Sequence, residues 1–514
     1  MVGLSQESIR NIDWEASVEE IIIDMRSDFI FAPHIAAIFE NNSEELIQTT
    51  CRELQAGTYA ARRPITTSVP KSSFLTRPGS ILEPKDRLVF HGITTSLRVH
   101  IEAEIDRTRC FSNRPPEPPT TLFSPASLSY ADFQVRISAI ADEKPWMVKT
   151  DVANYFASLP QHNLINMLRA SGADSSCVNL LEEILLSHSN RRRSFGILQG
   201  LYSSDLLGNY FLSDLDSHLQ MLDTPSARYV DDIYIGFDDE TSARRGLVRL
   251  DAEVRKSGLS LSDSKTRVAR SADLIANERV VDDLFEAART EVENDISSLF
   301  DNMYGFESNW GGSISAERVE LEAVRRLLDA ADQDDLLGTK IDKFCLPALR
   351  AAQDDYAVDH ALNRINSCPQ LTKTYASYLS HFAPRDVETM QAVCGLISQD
   401  PFYTDYQRMF VLAALLDCQE VNPTAVASAN GWINASHGPE LRALSVIFCL
   451  KFGDNQMRRH MMNMYDSEAS EYVRAAILFG SQYVTTTERS VAWRAWGSHS
   501  ELNSLIIGAL REAG

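Results

Sequence analysis

The stretch Ala227-Arg228-Tyr229-Val230-Asp231-Asp232-Ile233-Tyr234-Ile235-Gly236-Phe237 sets two adjacent aspartates between β-branched and aromatic residues. Their partial alternation is the pattern of a tight β-hairpin. The turn presents both carboxylates at one end. Such a pair is costly to hold together unless a cation neutralises it, which reads as a divalent-metal site. The competing reading is an ordinary surface turn, where aspartate is favoured anyway. Other segments decide between the two.

The first is Trp146–Val152, which alternates like a strand, carries Asp151 near its end and runs into Asn154-Tyr155-Phe156 at a turn. A third carboxylate at a strand end completes a two-metal phosphoryl-transfer set, in which one metal activates a hydroxyl and the other neutralises a triphosphate. Alone, Asp151 reads as a turn residue or helix cap; beside Asp231 and Asp232 the metal reading takes over. Between these two segments lies Leu198-Gln199-Gly200-Leu201-Tyr202-Ser203-Ser204-Asp205-Leu206-Leu207-Gly208-Asn209. Glycine lets backbone approach a ligand and Gln199 offers an amide, while Ser203 or Ser204 reads as the cap of a helix running through Leu219. After the hairpin come a helix over 241–257, closed by Gly258, and a strand-like piece ending near Lys265.

In this order the segments resemble the motifs of reverse transcriptases: an aspartate at 151, a Gln-Gly…Ser…Leu-x-x-Asn block at 199–209, Tyr-x-Asp-Asp at 229–232 and a lysine at 265. Upstream, Pro70-Lys71 and Arg77-Pro78-Gly79-Ser80-Ile81…Asp86-Arg87 resemble the fingers segment of prokaryotic members. The resemblance covers about residues 60–270. It implies that Asp151, Asp231 and Asp232 are catalytic, and that Asp151, the Val152 carbonyl and Asp231 hold Mg2+, two ions per site, with Mn2+ as a substitute. It further implies that Lys71, Arg77, Phe156, Gln199, Gly200 and Lys265 contact the incoming dNTP. Phe156 stands where a bulky side chain screens the sugar 2′-hydroxyl; its alternative is a core aromatic.

At 514 residues, with 44% hydrophobic and 23% charged content, the chain has the composition of a globular protein of two to four domains. No apolar run reaches the length of a membrane span, and the N-terminus lacks a signal-peptide pattern. Eight scattered cysteines without a CxxC pair read as reduced thiols in a cytoplasmic protein, and exclude a zinc cluster. The net charge of −22 excludes a generally basic, nucleic-acid-coating protein. Charge is uneven, however: residues 1–270 hold 29 basic and 36 acidic side chains, the remainder 20 and 35. Basic residues cluster at Arg62-Arg63, Lys71, Arg77, Lys85, Arg87 and Arg191-Arg192-Arg193, so a nucleic-acid or triphosphate site is expected as a local channel in the first half.

Residues 1–60 read as helical, 64–84 as extended or looped, Asp86–Arg107 as one helix and Asn113–Pro125 as a proline-rich connection. Beyond about 270, strand-like segments nearly vanish. Apolar helical stretches follow one another, among them Val319–Ala331, Asp386–Ser398, Tyr406–Leu416, Leu441–Leu450 and Tyr472–Phe479, as in an array of helical hairpins. Asn302–Ala316 is polar enough to be a linker.

The family block usually reads Ser-Pro where this chain has Ser204-Asp205, and an acid beside a template repels its phosphates unless neutralised. No typical thumb is recognisable. A polymerase half joined to a helical half is similar to the abortive-infection (Abi) branch of bacterial and prophage reverse transcriptases, which act against phage. The fold class expected is therefore α+β fingers and palm, with a ferredoxin-like palm sheet, over 1–270, and an all-α, HEAT-like helical-repeat domain over 271–514. The resemblance implies a homo-oligomer, trimer or hexamer, that polymerises dNTPs without a template into single-stranded DNA attached to a tyrosine, with Tyr59 and Tyr304 as candidates and no membrane partner. Two alternatives stand beside it: templated synthesis on an associated non-coding RNA, and a helical-repeat protein that binds a partner.

Overall fold

The computed structural model describes residues 4–513 except 72–73, 117–120, 125, 190–193, 222, 304–315 and 331–335. The chain forms two compact units, Met1–Thr66 with Pro78–Ala276 and Val491–Gly514, and Thr67–Arg77 with Asn277–Ser490. The main division falls after Ala276 rather than at 270, and two further segments change sides. Residues 67–77 join the second unit, and the last 24 residues return to the first. A contiguous reading of helices misses such a return, because the apolar face of Glu501–Glu512 does not announce its partner. In the structure that helix packs on Pro33–Asn41, with the Asn42 amide donating to the Leu505 carbonyl (3.1 Å).

The first unit is built on an antiparallel sheet of four strands in the order β4-β5-β3-β6, where β3 is Trp146–Asp151, β4 Ser226–Tyr229, β5 Asp232–Phe237 and β6 Arg267–Arg270. The remaining strands, β1 (Ile65–Pro70) and β2 (Thr76–Ile81), pair as a hairpin within 64–84. Period-two alternation divides the palm residues between the faces of the sheet. Met147, Ala227 and Tyr234 meet Phe133, Ile137 and Ile140 of the helix Ala126–Glu143. On the other face lies the helix Glu240–Lys256, capped by the Asp239 carboxylate and followed by Gly258 in the left-handed region. Closest packing occurs where the Phe237 ring lies on Gly246, leaving no room for a Cβ.

Helical stretches form largely where the periodicity places them, with two revisions. The expected Asp86–Arg107 helix is two, Pro84–Ser96 and Arg98–Glu104. Likewise the helix expected to run through Leu219 is broken at Leu212 into Tyr202–Phe211 and Ser213–Met221. Neither Ser203 nor Ser204 caps it; both are buried, and Ser203 Oγ pairs with His91 Nδ1 at 3.1 Å. The Asp24 carboxylate instead accepts from the Tyr202 N–H (3.2 Å), an acid supplied from 178 residues away.

Apart from residues 67–77, the second unit is helical throughout its described residues. Five helices (Leu336–Ala351, Thr372–Phe382, Asp405–Ala413, Pro439–Phe452 and Glu471–Gly480) each pack on the next, and the helices between them pack alongside. Buried polar pairs tie the pairs together: Asp342 accepts from Arg364 Nε (2.7 Å) and pairs with His360 Nε2 (2.7 Å). All eight cysteines are free thiols. Among the described residues no helix is long and apolar enough to cross a membrane.

Candidate active site

Tyr229 and Asp232 are register partners, so the hairpin turns through Val230 and Asp231 alone. Val230 has φ +54°. In two-residue hairpin loops such a position is usually glycine, and a β-branched residue there carries strain of roughly 1–3 kcal/mol. Both backbone groups of Val230 are held. Its N–H donates to Ser112 Oγ (2.8 Å), and its carbonyl accepts from Arg228 Nη1 (2.9 Å). Ser112 in turn donates to Asn209 Oδ1 (2.9 Å), which also accepts from Arg228 (3.1 Å). Arg228 is buried, as is its partner Asp216, whose oxygens lie 3.0 Å and 2.5 Å from Nε and Nη2. Removing one side of such a pair costs about 3–5 kcal/mol. The turn is thus clamped by a buried network on three separate segments.

The turn places Asp231 against Asp151. Asp151 and Asp232 are register partners across β3 and β5, and the Val152 N–H donates to the Asp231 carbonyl (3.3 Å). Burial, then Asp151, then the Asp232 charge push the Asp231 carboxyl up to about 8. Segment 260–266 runs along the end of β3, with the Ser262 N–H on the Asp151 carbonyl (2.7 Å), the Ala153 N–H on the Ser260 carbonyl (2.8 Å) and the Thr150 and Thr266 hydroxyls 2.7 Å apart. This delivers Lys265, whose ammonium pairs with Asp151 Oδ2. Burial opposes the charge on Lys265, but Asp151, Asp232 and Asp231 raise its pKa on balance.

The other Asp151 oxygen, Oδ1, is buried without a hydrogen-bond partner. Two carboxylates pressed together, one with an unused oxygen, fit a hard divalent cation. Among the described residues no three His, Cys, Asp or Glu side chains form a complete metal shell. Such a site holds Mg2+ only with oxygens of substrate and water, the usual habit of that ion. Val152 is fixed through its amide, on the Asp231 carbonyl.

Phe156 lies half-buried in the short helix Tyr155–Ser158, its ring so close to Gly208 that a Cβ there would stand 3.2 Å away. Its carbonyl accepts from the Ile197 N–H (2.8 Å), which ties it to the Gln199-Gly200 segment. Gln199 Oε1 is buried without a partner. Gly200 has φ +83°, and a Cβ would meet the Phe29 ring at 2.8 Å, so the close approach its missing side chain permits is to Phe29. Lys71 and Arg77 belong to the second unit. There the Lys71 N–H closes the hairpin end on the Leu75 carbonyl (2.6 Å), and Arg77 lies near Lys343, whose pKa is lowered first by burial and then by Arg77. Tyr59 is buried, with its hydroxyl donating to Asp86 (2.7 Å) and its pKa raised well above normal by burial and that carboxylate. A nucleophile so held lies outside solvent reach. Tyr304 and Arg191–Arg193 lie outside the described residues.

Asp205 is not the bare charge its position implied. Burial, then Asp24, push its carboxyl up to about 8 against an opposing hydrogen bond from Asn113, so it is mostly protonated at pH 7. Asp24 also pairs with buried Arg87 (3.0 Å), which reaches Asp28 as well (2.9 Å). Nothing local in their stretches marks Ser112, Asp216 or Asp24, whereas Arg87, expected in a basic channel, is instead buried against Asp24 and Asp28.

A four-stranded antiparallel sheet with paired carboxylates at a clamped turn and a lysine beside them is an arrangement suited to phosphoryl transfer. Residues 46–308, just over half of the chain, match the reverse transcriptase (RNA-dependent DNA polymerase) family, and the chain belongs to it. No curated protein matches the chain in sequence. Solved structures similar to it include telomerase from Candida albicans in complex with a TWJ fragment of telomeric RNA (12% identity, TM-score 0.32, covering 65% of this chain and 66% of that one). Telomerase from Candida tropicalis in complex with the same kind of fragment is similar at 10% identity and TM-score 0.32, covering 70% and 65%. The chain thus spans just under two thirds of the length of either telomerase.

Proposed function

We propose that the protein is a DNA polymerase of the abortive-infection type, which joins dNTPs by attack of a hydroxyl on an α-phosphate with release of pyrophosphate. The observation that carries the chemistry is the Asp151–Asp231 pair with Lys265 at its edge. Mg2+ held there would lower the pKa of the attacking hydroxyl and neutralise the triphosphate. Lys265, kept protonated by the surrounding acids, is placed to hydrogen-bond the phosphates. Phe156 against Gly208 narrows the space at the sugar and favours deoxynucleotides, while Gln199 offers an unused carbonyl oxygen to the nucleotide.

Untemplated synthesis from a tyrosine of a trimeric or hexameric assembly is the mode we favour, on the strength of the helical, HEAT-like unit that follows the palm. Tyr304 is the better of the two named tyrosines, since the Tyr59 hydroxyl is engaged by Asp86. The second reading, templated synthesis on an associated RNA, gains from one observation: Asp205 is largely neutral at pH 7 and does not repel a template. Incubation with dNTPs and Mg2+ alone distinguishes them. A slow-migrating, protease-sensitive DNA adduct, lost in Asp231→Asn, is expected. Efficient extension of a primed template with no adduct would replace the first reading by the second.

A further inference from the structure

On the sheet face covered by Glu240–Lys256, at the far end of β5 from the acidic turn, two cavities meet at His218. One, of about 280 Å³, is lined by Arg245, Arg249 and His218 over an apolar floor of Ile235, Phe237 and Leu250. The other, about 430 Å³, is lined by Asn163, Asn166, Lys256 and Glu253. The first approaches the size of a small-ligand site, about 300 Å³ and upward. From Asp232 to Phe237 the strand advances about 16 Å, so the groove is separate from the catalytic carboxylates.

Charge in this groove runs against the chain as a whole. In a protein of net charge −22, Arg245 and Arg249 are both exposed and neither makes an ion pair within 4.0 Å among the described residues, whereas Arg244 and Arg255 on the same helix pair with Glu240 and Asp251. Asp239, at the start of the helix, is the acid that senses Arg245, and its carboxylate is taken up capping Ser242. In the second cavity Glu253 is occupied by Lys256 (2.7 Å) and His218 (3.9 Å), and a further acid, Asp214, stands on its wall away from the two arginines' cavity. Four residues apart, the two arginines stand one above the other, with Cβ atoms about 5–6 Å apart, a spacing on the scale of one nucleotide step. Arginine suits phosphate, amides suit base edges, and an apolar floor suits a base or sugar face.

We propose that this groove on the back of the palm holds a short single-stranded nucleic acid, with Arg245 and Arg249 on successive phosphates and Asn163 and Asn166 on the edge of a neighbouring base. The strand is either DNA product leaving the enzyme or an RNA bound to it. Both present the same phosphates.

The test uses full-length Asp231→Asn protein in EDTA, which cannot polymerise, irradiated with DNA or RNA oligonucleotides carrying 4-thiothymidine or 4-thiouridine. Adducts mapped by mass spectrometry are expected on peptides from 213–221 or 240–257. In R245A/R249A their yield should fall at least fivefold, and in R245K/R249K much less. The slope of log affinity against log salt should fall by about 1.4 in R245A/R249A, about 0.7 for each lost phosphate contact. Adducts with DNA only mark a product track, and with RNA only a track for a bound RNA. Absence of adducts on these peptides with both, or adducts indifferent to R245A/R249A, would overturn the proposal. Neither result bears on primer-free synthesis, which is read with Asp231 intact.

Discussion

Replacing Asp231 by asparagine should make the metal-free protein more stable while abolishing its activity. Its carboxyl is held at about 8 by burial and by Asp151 and Asp232, against an ordinary value near 4. With the folded pKa above the unfolded one, nothing is lost below about pH 4, where both states keep the proton. Between about pH 4 and 8 the unfolded chain releases the proton and the folded one retains it, and stability falls by about 1.4 kcal/mol per pH unit; above about 8 the loss is constant. Partial exposure and the Lys265 ammonium reduce the full sum to on the order of 3 kcal/mol at pH 8. Asparagine cannot ionise and escapes this cost. At about 2–4 °C per kcal/mol, the Asp231→Asn melting temperature in EDTA should exceed wild type by roughly 5–10 °C at pH 8, and by about a third of that at pH 5. Mg2+ should then raise the wild-type Tm and leave the variant nearly unmoved, while nucleotide incorporation falls by about 10³ or more. Differential scanning fluorimetry at the two pH values reads this directly. A variant no more stable than wild type at pH 8, or equally favoured at both pH values, would refute the crowded-carboxylate account.

Two further outcomes follow from the same geometry. Ser112→Ala removes the acceptor of the Val230 N–H, at a cost of about 1–3 kcal/mol by chemical denaturation; kcat should fall about tenfold with the dNTP KM little changed, and Ser112→Thr should restore both. Asp205→Asn mimics the protonated acid, so extension of a primed template should match wild type at pH 7. As pH rises through 8 the wild type should lose activity and stability when Asp205 ionises beside Asp24, and the variant should not, a difference visible in parallel pH profiles.

Much of the candidate site was legible because its parts are local. A strand ending on Asp151, a turn at 230–231 and a lysine at 265 are each written in a few consecutive residues. What escaped is carried by contacts between distant segments. Ser112 bonds Val230 across 118 positions, Asp24 caps a helix beginning at Tyr202, and Arg228 draws on Asp216 and Asn209 together. A serine between Phe111 and Asn113 looks like any loop serine until the fold brings the hairpin to it. The Ser203–Ser204 cap failed for the same reason. Both serines are competent caps by type, but a remote carboxylate had taken the role and burial had turned them inward. Asp205 misled through its charge: composition counts it as an anion, whereas its surroundings hold the proton on.

The return of Glu501–Glu512 to the first unit bears on how the protein comes into being. The first unit draws on residues from either side of the helical unit, with more than two hundred residues of that unit spelled out in between. During synthesis its palm strands are complete by Arg270, yet the helix that rests on Pro33–Asn41, and the Glu501 carboxylate that meets Lys85, emerge only after the helical unit has passed Ser490. Full closure of the polymerase half therefore waits for the helical half to be translated.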